Sequence, residues 1–485
     1  MNIEIFKNKR CYIFPKSNIS LTFKKYLEVN SVIFLGFIDN NIKDDETYSL
    51  NDIQNQEFDY IFILSPNHLK AIYEQTIKSI SKEKVVCVSL DSKNLSYSFS
   101  YDGNFLIDNL IVEKNRYVDY FDKKIEKYEL EDAVLLIGIT FLDLNVKYLY
   151  LYLKKHTNLK VYISTNNQRD IEIFEKYGIR VVSYFSEEFL DLVFSTKVKI
   201  IDHTPTDELL IKCLNIGKSI QLWHGITIET LGVLANYKAL KYDIVLSTSS
   251  FVSDYSFSKI YLYDKIVHCG YPRNDVLYNN DIELINVDLE LLETMQNDEF
   301  KYVVYMPTHR PLSFADNPMD YKVLNEFGKK NNIKFIIKMH PFVAEKLRDD
   351  LSTYQSSECT FDNIILYPSF MDVYPILKYS DILISDYSSV YFDFLYVNKP
   401  ILFFCYDYEK WVEGEQGVIL DYFAHSPGDK CYTFEDLLYK ILVNLKEDKY
   451  KEDRKLIFEK MFENQKEKAS KLLYETIREC CDTKN

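Results

Sequence analysis

DILISDYSSVYFDF, from Asp381 to Phe394, is the stretch that best predicts how this chain folds. The run Ile382–Ile384 is typical of a buried strand, and the apolar residues that close the stretch are spaced as on the inner face of a helix. Between them, Asp386, Ser388 and Ser389 form a polar turn at the start of that helix. Two hydroxyls and free N–H groups at a helix start can hold a phosphate without a metal. For this segment alone, an ordinary Ser/Asp helix cap is an equal alternative.

Strand-like runs alternate with helical patterns in the N-terminal part of the chain. The runs are CYIFP, SVIFLGFI, DYIFILS and KVVCVSL, separated by helix-compatible pieces such as SLTFKKYLEV. This rhythm predicts βαβ units with a parallel sheet, and we expect a Rossmann-like α/β domain over residues 1–125. No G-x-G-x-x-G follows its first strand, which argues against a dinucleotide site there. The charged segment Glu113–Asp132 is typical of a solvated helix or a linker and marks the domain boundary.

Two further series of strand-like runs follow this boundary, so the fold class is α/β throughout. The first series contains AVLLIGITFL, LKVYIST, IRVVSYF, VKIIDHT, SIQLWHG and YDIVLSTS. The second contains KYVVYMPTHR, IKFIIKMHP, NIILYPS, DILISDYSS and PILFFCYD. The tail from Lys451 to Glu479 has helical periodicity. Its candidate apolar positions are Leu456, Phe458, Phe462, Leu472, Leu473 and Ile477.

Charge and cysteine content exclude several classes of protein. The 485 residues carry a formal net charge of −15, which argues against a nucleic-acid partner because phosphate attraction needs clustered Lys and Arg. The nine cysteines show no C-x-x-C pair and no metal-like spacing. Most lie in strand-like runs, as small buried hydrophobes do in a reducing cytoplasm. The opening residues MNIEIFKNKR are not expected to act as a signal peptide, because no apolar region follows their charges. AVLLIGITFL is too short to span a bilayer. We therefore expect a cytoplasmic protein, soluble or at most peripheral to a membrane.

Several unusual residues share one topological position, just after an apolar strand. His224 follows SIQLW, Thr308 and Arg310 follow KYVVYMP, and His340 follows IKFIIKM. In open α/β sheets ligands bind at the carboxyl ends of the strands. Arg310 is a natural bidentate ligand for phosphate. A lone histidine at the position of His340 is more often a structural hydrogen-bonder, so the recurrence counts for more than any single residue.

Two more segments carry polar groups near strand ends. CGYPRNDVL places Arg273 and Asn274 in a Pro-led turn before a helix, and by itself it need be no more than a turn. His203, in IIDHTPTDE, is a further candidate base, although a structural role at a strand end is the simpler interpretation. The chain has no D-x-D triplet, no P-loop and no G-x-S-x-G elbow.

Six segments, taken together and in order, resemble the CDP-glycerol:poly(glycerophosphate) glycerophosphotransferases, enzymes of teichoic acid and related capsule synthesis. They are LWHGITIETLG, GYPRNDVL, YMPTHR, KMHP, SDILISDYSSVYFDF and KPILFFCYD. The resemblance covers residues 131–475 and implies a GT-B architecture, a pair of Rossmann-type domains with a cleft between them. On this basis we expect an acceptor domain over 131–265 and a CDP-donor domain over 266–485 that includes the C-terminal helix.

The resemblance also implies an activity. A glycerol-phosphate or related polyol-phosphate group passes from a CDP-linked donor, such as CDP-glycerol, to a hydroxyl of a glycan or lipid-linked acceptor, and CMP is released. No cofactor and no metal are expected. The catalytic residues are implied to be His224, as general base, and His340. The acceptor side is assigned to Trp223, Gly225 and Glu229. The donor phosphates and CDP are assigned to Arg273, Asn274, Thr308, Arg310, Asp386, Ser388 and Ser389.

Two positions depart from the family's usual pattern. After WHG the family usually has Thr-Pro-Leu-Lys, whereas this chain has Ile-Thr-Ile and then Glu229. The family usually has Arg before the Gly of GEQGVILDY, whereas this chain has Gln416. Both changes lower the positive charge near the expected site, and a neutral sugar acceptor would tolerate them better than a polyanionic one.

Two other functions remain open at this point. The same scaffold and anion sites would serve a GT-B glycosyltransferase that uses a nucleotide sugar, and a catalytically silent scaffold protein is a third possibility. The segment VKYLYLYLKKH, Val146 to His156, is either an amphipathic helix against the inner face of the cytoplasmic membrane or a helix packed on the sheet. The packed helix is the preferred interpretation, because the chain is acidic overall.

Overall fold

The computed structural model describes most of the chain and divides it into two compact units, Met1–Glu126 and Lys127–Asn485. The described residues are 3–40, 42, 44, 46–65, 69–91, 96–100, 117–138, 145–165, 167–184, 186–205, 208–228, 241–308, 318–339, 361–413, 419–463 and 467–482.

The first unit is built around a six-stranded sheet of order β3-β2-β1-β4-β5-β6. Apolar side chains of its strands are buried on both faces, as in a parallel sheet covered by helices. The four predicted strands are confirmed, but a further strand, β6, pairs antiparallel with β5 rather than parallel. The strands are β1 (Arg10–Phe14), β2 (Ile33–Ile38), β3 (Thr47–Tyr48), β4 (Tyr60–Ile63), β5 (Val85–Asp91) and β6 (Ser96–Ser100). The helices are α1 (Asn18–Val29), α2 (Leu50–Ile53), α3 (Leu69–Thr76) and α4 (117–124).

The second unit contains two parallel sheets, and its first sheet has seven strands in the order β13-β12-β11-β10-β7-β8-β9. The strands are β7 (Glu131–Ile137), β8 (Lys160–Thr165), β9 (Val181–Ser183), β10 (Thr196–Ile201), β11 (Lys218–Gln221), β12 (Lys241–Ser247) and β13 (Leu262–His268). The helices are α5 (Asn145–His156), α6 (Gln168–Lys176), α7 (Glu187–Ser195), α8 (Glu208–Leu214), α9 (Ser250–Val252) and α10 (Ser258–Ile260), the last two joined by a π-helical turn, Ser253–Phe257.

The other sheet of the second unit has the order β16-β15-β14-β17-β18-β19. Its strands are β14 (Lys301–Tyr305), β15 (Ile333–Ile337), β16 (Ile364–Leu366), β17 (Ile382–Ser385), β18 (Ile401–Phe404) and β19 (Asp429–Cys431). The first helices are α11 (Asp275–Tyr278), α12 (Leu289–Asn297), α13 (Tyr321–Asn331), α14 (Tyr374–Tyr379) and α15 (Val390–Phe394). The remaining helices are α16 (Tyr408–Glu413), α17 (Tyr422–His425), α18 (Phe434–Lys446), α19 (Lys451–Phe462) and α20 (Ala469–Asp482).

The strand order places the ligand-binding crevice of each sheet in the second unit. In both sheets the order reverses between the first and the fourth strand along the chain, that is, between β7 and β10 and between β14 and β17. Open α/β sheets bind ligands at the carboxyl ends of the strands on either side of such a switch point. The segments that follow β10, β14 and β17 are therefore the expected places for a ligand.

Packing differs from the sequence prediction at the C-terminus and agrees with it at α5. The C-terminal helix α20 was expected in the donor domain, but it packs on α5 and β10 of the other sheet. Lys197 on β10 donates a hydrogen bond to the carbonyl of Cys481. Leu456 was a candidate core position and is 64% exposed, whereas Leu473 and Ile477 are buried. Helix α5 is buried from Asn145 to Leu151 and at Leu153, and only its last three residues are exposed, so the packed helix is confirmed.

Two further expectations concern the whole chain. The eight cysteines within the described ranges are free and buried, as small hydrophobic residues are. None of the described helices is long and apolar enough to cross a bilayer.

Candidate active site

Trp223 and His224 lie in the turn that follows β11. Trp223 has a left-handed backbone, with φ of 55°, which is unusual for a bulky residue. Hydrogen bonds hold this residue on both sides. Its amide donates to Oε1 of Gln221 at 2.8 Å, and its carbonyl accepts from Nδ2 of Asn145 at 2.7 Å. The left-handed residue ends the strand and turns the next side chain, His224, out of the strand direction.

The imidazole of His224 is oriented by a main-chain carbonyl. Its Nδ1 lies 2.9 Å from the carbonyl oxygen of Asp202, at the end of β10. A carbonyl only accepts, so Nδ1 carries the proton and the lone pair of the neutral ring is on Nε2. Nε2 has no hydrogen-bond partner within the described ranges. Trp223 stacks on the ring with a centroid distance of 4.1 Å and an interplanar angle of 28°.

The surroundings of His224 determine its protonation state. The side chain is exposed to solvent, yet desolvation by the surrounding protein lowers its pKa from the ordinary value of 6.5. The hydrogen bond to Asp202 opposes this shift, and the nearby Arg273 guanidinium reinforces it. The imidazole is therefore neutral at pH 7, as a proton acceptor has to be.

His203 lies beside this group, and its contacts favour a structural role. Its Nδ1 lies 3.5 Å from Oδ1 of the buried Asp202 carboxylate. Its carbonyl accepts a hydrogen bond of 2.9 Å from Nε2 of Gln221. The same Nε2 donates to the hydroxyl of Tyr242 at 3.0 Å. This network joins the ends of β10 and β11 under the Trp-His turn.

Arg273, expected to contact phosphate, is a buried crosslink in this structure. Nη1 donates to the carbonyl of His224 at 2.7 Å, and Nη2 pairs with Oδ2 of Asp393 at 2.7 Å. The Tyr374 hydroxyl donates to the same carboxylate oxygen at 2.7 Å. Only 4% of the Arg273 surface is exposed, and Asp393 compensates the charge. These contacts favour positioning of the His224 main chain over direct phosphate binding.

Asn274, the next residue, is fully buried in the 3-10 turn Pro272–Asn274. Neither polar atom of its side chain has a hydrogen-bond partner among the described residues. A buried amide without partners is costly, so this side chain is a candidate for contact with a group that the described residues do not supply. Its assignment to the donor stays a prediction.

Asp386 and Thr308 meet at the switch point of the other sheet, between β14 and β17. Oδ1 of Asp386 accepts hydrogen bonds from the amide of Thr308 at 2.8 Å and from its hydroxyl at 2.6 Å. The same oxygen accepts from the amide of Tyr387 at 2.6 Å. The carboxylate is buried and engaged with protein donors, so Asp386 shapes the two loops, while Thr308 remains partly accessible.

Ser388 and Ser389 precede the short helix α15, and both are partly exposed. Ser389 makes no side-chain cap hydrogen bond. Oγ of Ser388 accepts from the amide of Val390 at 3.5 Å, so a helix cap accounts for Ser388 but not for Ser389. Its hydroxyl instead lies against Gly225 of the Trp-His-Gly turn. A Cβ atom placed on Gly225 would lie 2.7 Å from Oγ of Ser389 and 3.3 Å from its Cβ. The turn after β11 and the turn after β17 are therefore in close contact, and Gly225 makes that contact possible.

Three expected site residues lie outside the described residues: His340, Arg310 and Glu229. Gln416, the second departure from the family pattern, also lies outside them. The described residues bring together Trp223, His224, Gly225, Arg273 and Ser389 by direct contact, through the distances given above. Among the described residues, no group of three His, Cys, Asp or Glu side chains is arranged so that it could hold a metal ion.

The sequence interpretation missed three residues that shape the site: Asn145, Asp202 and Asp393. Asp202 directly precedes His203, so the segment IIDHT already indicates that Asp202 lies at a strand end. Asn145 and Asp393 are far from the Trp-His turn along the chain. Asp393 lies within the motif SDILISDYSSVYFDF, among the apolar residues of its helix, and no local pattern marks Asn145. Only the folded chain brings their side chains to Trp223 and Arg273.

Comparison with known proteins defines the class of this chain. Residues 131–479 match the family model described as CDP-Glycerol:Poly(glycerophosphate) glycerophosphotransferase. The match spans most of the chain. The chain belongs to the CDP-glycerol:poly(glycerophosphate) glycerophosphotransferase family, which confirms the resemblance found in its motifs.

Similar proteins act in teichoic acid synthesis. A teichoic acid glycerol-phosphate transferase of Staphylococcus aureus is 26% identical over 69% of this chain and 89% of its own length. A teichoic acid poly(glycerol phosphate) polymerase of Bacillus subtilis is 27% identical over 61% of this chain, and the match spans 41% of that polymerase. A teichoic acid poly(ribitol-phosphate) polymerase of Bacillus spizizenii is 22% identical over 88% of this chain and 70% of its own length.

A solved structure shares the fold. The wall teichoic acid polymerase TagF superposes with a TM-score of 0.61 at 21% identity, covering 78% of this chain and 97% of that chain. At this identity the likeness concerns the fold alone. It agrees with the mixed α/β architecture of Rossmann-like parallel sheets predicted from the sequence.

Proposed function

We propose that this protein transfers a glycerol-phosphate or related polyol-phosphate group from a CDP-linked donor to a hydroxyl of a teichoic-acid-like or capsular acceptor, with release of CMP. Family membership supports the chemistry. The names of the relatives include both glycerol-phosphate and ribitol-phosphate enzymes, so the donor class is CDP-polyol. The observation that carries the proposal for the site is the orientation of His224, whose Nδ1 faces the carbonyl of Asp202.

The reaction needs a base on the acceptor hydroxyl. Nε2 of His224 takes the hydroxyl proton as the oxygen attacks the phosphorus that bears the polyol. A new P–O bond forms to the acceptor, and the bond between that phosphorus and the bridging oxygen of CMP breaks. CMP leaves with the bonding electron pair, and the polyol phosphate becomes a phosphodiester. Such transfers depend on alignment and charge stabilisation more than on covalent catalysis.

We further propose a GT-B arrangement within the second unit, in which the sheet of β7–β13 holds the acceptor and the sheet of β14–β19 holds the donor. The close contact between Gly225 and Ser389 supports this, because it joins the turns at the carboxyl ends of the two sheets. Ser388, Ser389 and Thr308 are the donor-side hydroxyls near the second switch point, and His340 and Arg310 are assigned with them from the motifs. Arg273 acts through His224 rather than on the donor.

We place the protein in the cytoplasm, acting on an acceptor at the inner face of the membrane. The free, buried cysteines of the described residues fit a reducing compartment. Glu229, where the family usually has Lys, favours an acceptor of lower negative charge. The donor is bound as substrate, and we propose no metal and no cofactor in the transfer step.

The test is to incubate the purified chain with CDP-glycerol, CDP-ribitol and UDP-sugars and to measure CMP and UDP separately. We expect CMP release from a CDP-polyol that rises when glycan or teichoic-acid acceptor is added. The matched variants are His224→Ala and His156→Ala, since His156 lies at the exposed end of α5 and packs against Tyr152. We expect CMP release to fall by more than about 100-fold in His224→Ala and to persist in His156→Ala. UDP release without CMP would establish a glycosyltransferase instead.

A further inference from the structure

We propose that Asn145 is a positioning residue for the transfer: it holds Trp223 in its left-handed conformation and thereby aims the imidazole of His224. This inference deepens the proposed function. It concerns a side chain outside the sequence motifs and far from the Trp-His turn along the chain.

The conformation of Trp223 needs support from its surroundings. A residue with a Cβ pays about 1–2 kcal/mol for the left-handed region, and such strain persists only where neighbouring groups over-determine it. Gln221 holds the amide of Trp223, and Asn145 holds its carbonyl. The carbonyl of Trp223 is part of the peptide group that joins Trp223 to His224. The orientation of this peptide group therefore fixes the direction in which the side chain of His224 leaves the backbone.

The Asn145 amide joins three segments of the second unit. Nδ2 donates to the carbonyl of Trp223 at 2.7 Å, and Oδ1 accepts from the main-chain amide of Arg273 at 3.3 Å. The Arg273 side chain in turn holds the carbonyl of His224. Both peptide groups on either side of His224 are thus fixed through Asn145 or its direct partner. Asn145 itself is fully buried.

The helix that carries Asn145 is anchored firmly enough to serve as a reference point. Asn145 is the first residue of α5, and Lys147 of the same helix forms a buried ion pair with Asp372. The Tyr148 hydroxyl donates to the same carboxylate oxygen of Asp372 at 2.5 Å. Lys147 also donates to the carbonyl of Ile285 at 3.3 Å. The helix start is therefore tied to Ile285 and Asp372, which precede α12 and α14, while α5 packs on β7 and β8 of the first sheet.

The polarity of the amide is the specific requirement. An aspartate has nearly the same shape as Asn145 and could still accept from Arg273, but an ionised carboxylate cannot donate to the carbonyl of Trp223. Two acceptor oxygens would then face each other in a buried place, which is strongly unfavourable. A residue that only filled space would tolerate this isosteric change.

The matched control is Asn363, a buried asparagine whose Nδ2 donates to the carbonyl of Ile333 at 2.8 Å. It precedes β16, at the amino edge of its sheet, away from the carboxyl ends where the site lies. Asn363→Ala removes the same kind of hydrogen bond without touching the Trp-His turn.

The experiment compares Asn145→Ala, Asn145→Asp and Asn363→Ala in the full chain, at temperatures well below each melting point. We expect kcat for CMP release to fall about 10- to 100-fold in both Asn145 variants, with KM for CDP-glycerol within about twofold of wild type. We expect Asn363→Ala to retain kcat even where its stability falls equally. Wild-type kcat in Asn145→Asp, or an equal loss of kcat in Asn363→Ala, would overturn the proposal.

A second readout does not depend on turnover. The chain has two tryptophans, so in a Trp411→Phe background the only indole is Trp223, stacked on His224. Protonation of a stacked imidazole quenches indole fluorescence, and titration from pH 8 to pH 4 therefore reports the His224 pair. We expect a titration step that the two Asn145 substitutions abolish or shift and that Asn363→Ala keeps. An unchanged step in the Asn145 variants refutes the positioning role. Absence of CMP release from the wild-type chain would instead refute the proposed function.

Discussion

Gly225→Ala is the substitution that most directly tests the contact between the two turns of the site. The backbone of Gly225 is not among the left-handed glycines of the described residues, so alanine meets no conformational penalty there. The cost comes from space. The new Cβ would lie 2.7 Å from Oγ of Ser389, 3.3 Å from its Cβ and 3.6 Å from Nη2 of Arg273.

The magnitude follows from these distances. An ordinary carbon contact needs a separation of about 3.5 Å or more, so one of the turns has to move by roughly 0.8 Å or Ser389 has to change rotamer. Overpacking of this size costs about 1–3 kcal/mol. Ser389→Ala removes the nearest atom and leaves the 3.3 Å contact with Cβ. We expect Gly225→Ala to cost about 1 kcal/mol less in the Ser389→Ala background than in wild type.

The assay is a double-mutant cycle on the free energy of unfolding in urea, monitored by tryptophan fluorescence. Both tryptophans, Trp223 and Trp411, belong to the unit Lys127–Asn485, so the transition reports that unit. Gly178→Ala is the control. Gly178 has φ of +69°, and no atom lies within 4 Å of the position that a Cβ would take there, so its cost arises from backbone strain and is independent of Ser389. Additive effects of Gly225→Ala and Ser389→Ala would refute the close contact.

Three further predictions use the same chain. Burial lowers the pKa of His224 below 6.5. In a pH–rate profile, kcat/KM should therefore fall only below pH 6.5, where the imidazole becomes protonated. A fall in kcat/KM centred above pH 6.5 would contradict this. Burial also lowers the pKa of Lys199 from 10.5 to about 7. Between these two pH values the unfolded chain binds more protons than the folded chain, so the free energy of unfolding should rise with pH. Lys199→Met should remove this dependence on pH and raise the free energy of unfolding by roughly 2–5 kcal/mol at pH 7. The control Lys160→Met replaces an exposed lysine and should keep the dependence. If the free energy of unfolding rises with pH in Lys199→Met as steeply as in wild type, Lys199 is not a neutral buried lysine. Arg273→Lys should lower kcat at least about tenfold, because one ammonium cannot bridge the His224 carbonyl and Asp393 as a guanidinium does; wild-type turnover would show that the bridge is dispensable.

The strands that could be predicted are those buried on both faces. Parallel strands in the middle of a covered sheet are continuous apolar runs, and KVVCVSL, AVLLIGITFL and KYVVYMP show such runs directly. The strands that were missed lie at or near sheet edges. Leu262–His268 is largely exposed or half-buried and carries charged residues, and Ser96–Ser100 contains three serines. An edge strand buries less apolar surface, so its sequence resembles a loop.

The site residues divide in the same way. His224, Thr308, Asp386 and Ser389 were recognisable because each follows an apolar run, and the carboxyl ends of parallel strands are where α/β proteins bind ligands. The chemistry of Arg273 was harder to predict. An arginine in a turn is equally suited to phosphate and to carboxylate, and Asp393, which pairs with Arg273, comes from a distant part of the chain.

The amino-acid sequence alone determined the α/β class, the succession of strands along the chain, the family and the histidine at the end of β11, because each depends on residues that are close together in the chain. Tertiary structure decided how that histidine is presented. The proton on Nδ1 follows from the carbonyl of Asp202, the turn at Trp223 from Asn145, and the need for Gly225 from the approach of Ser389. These partners come from other strands and helices, and hydrogen bonds and steric contacts act only over a few ångströms. The residues that aim the base are therefore defined by folding, not by the motif in which the base stands.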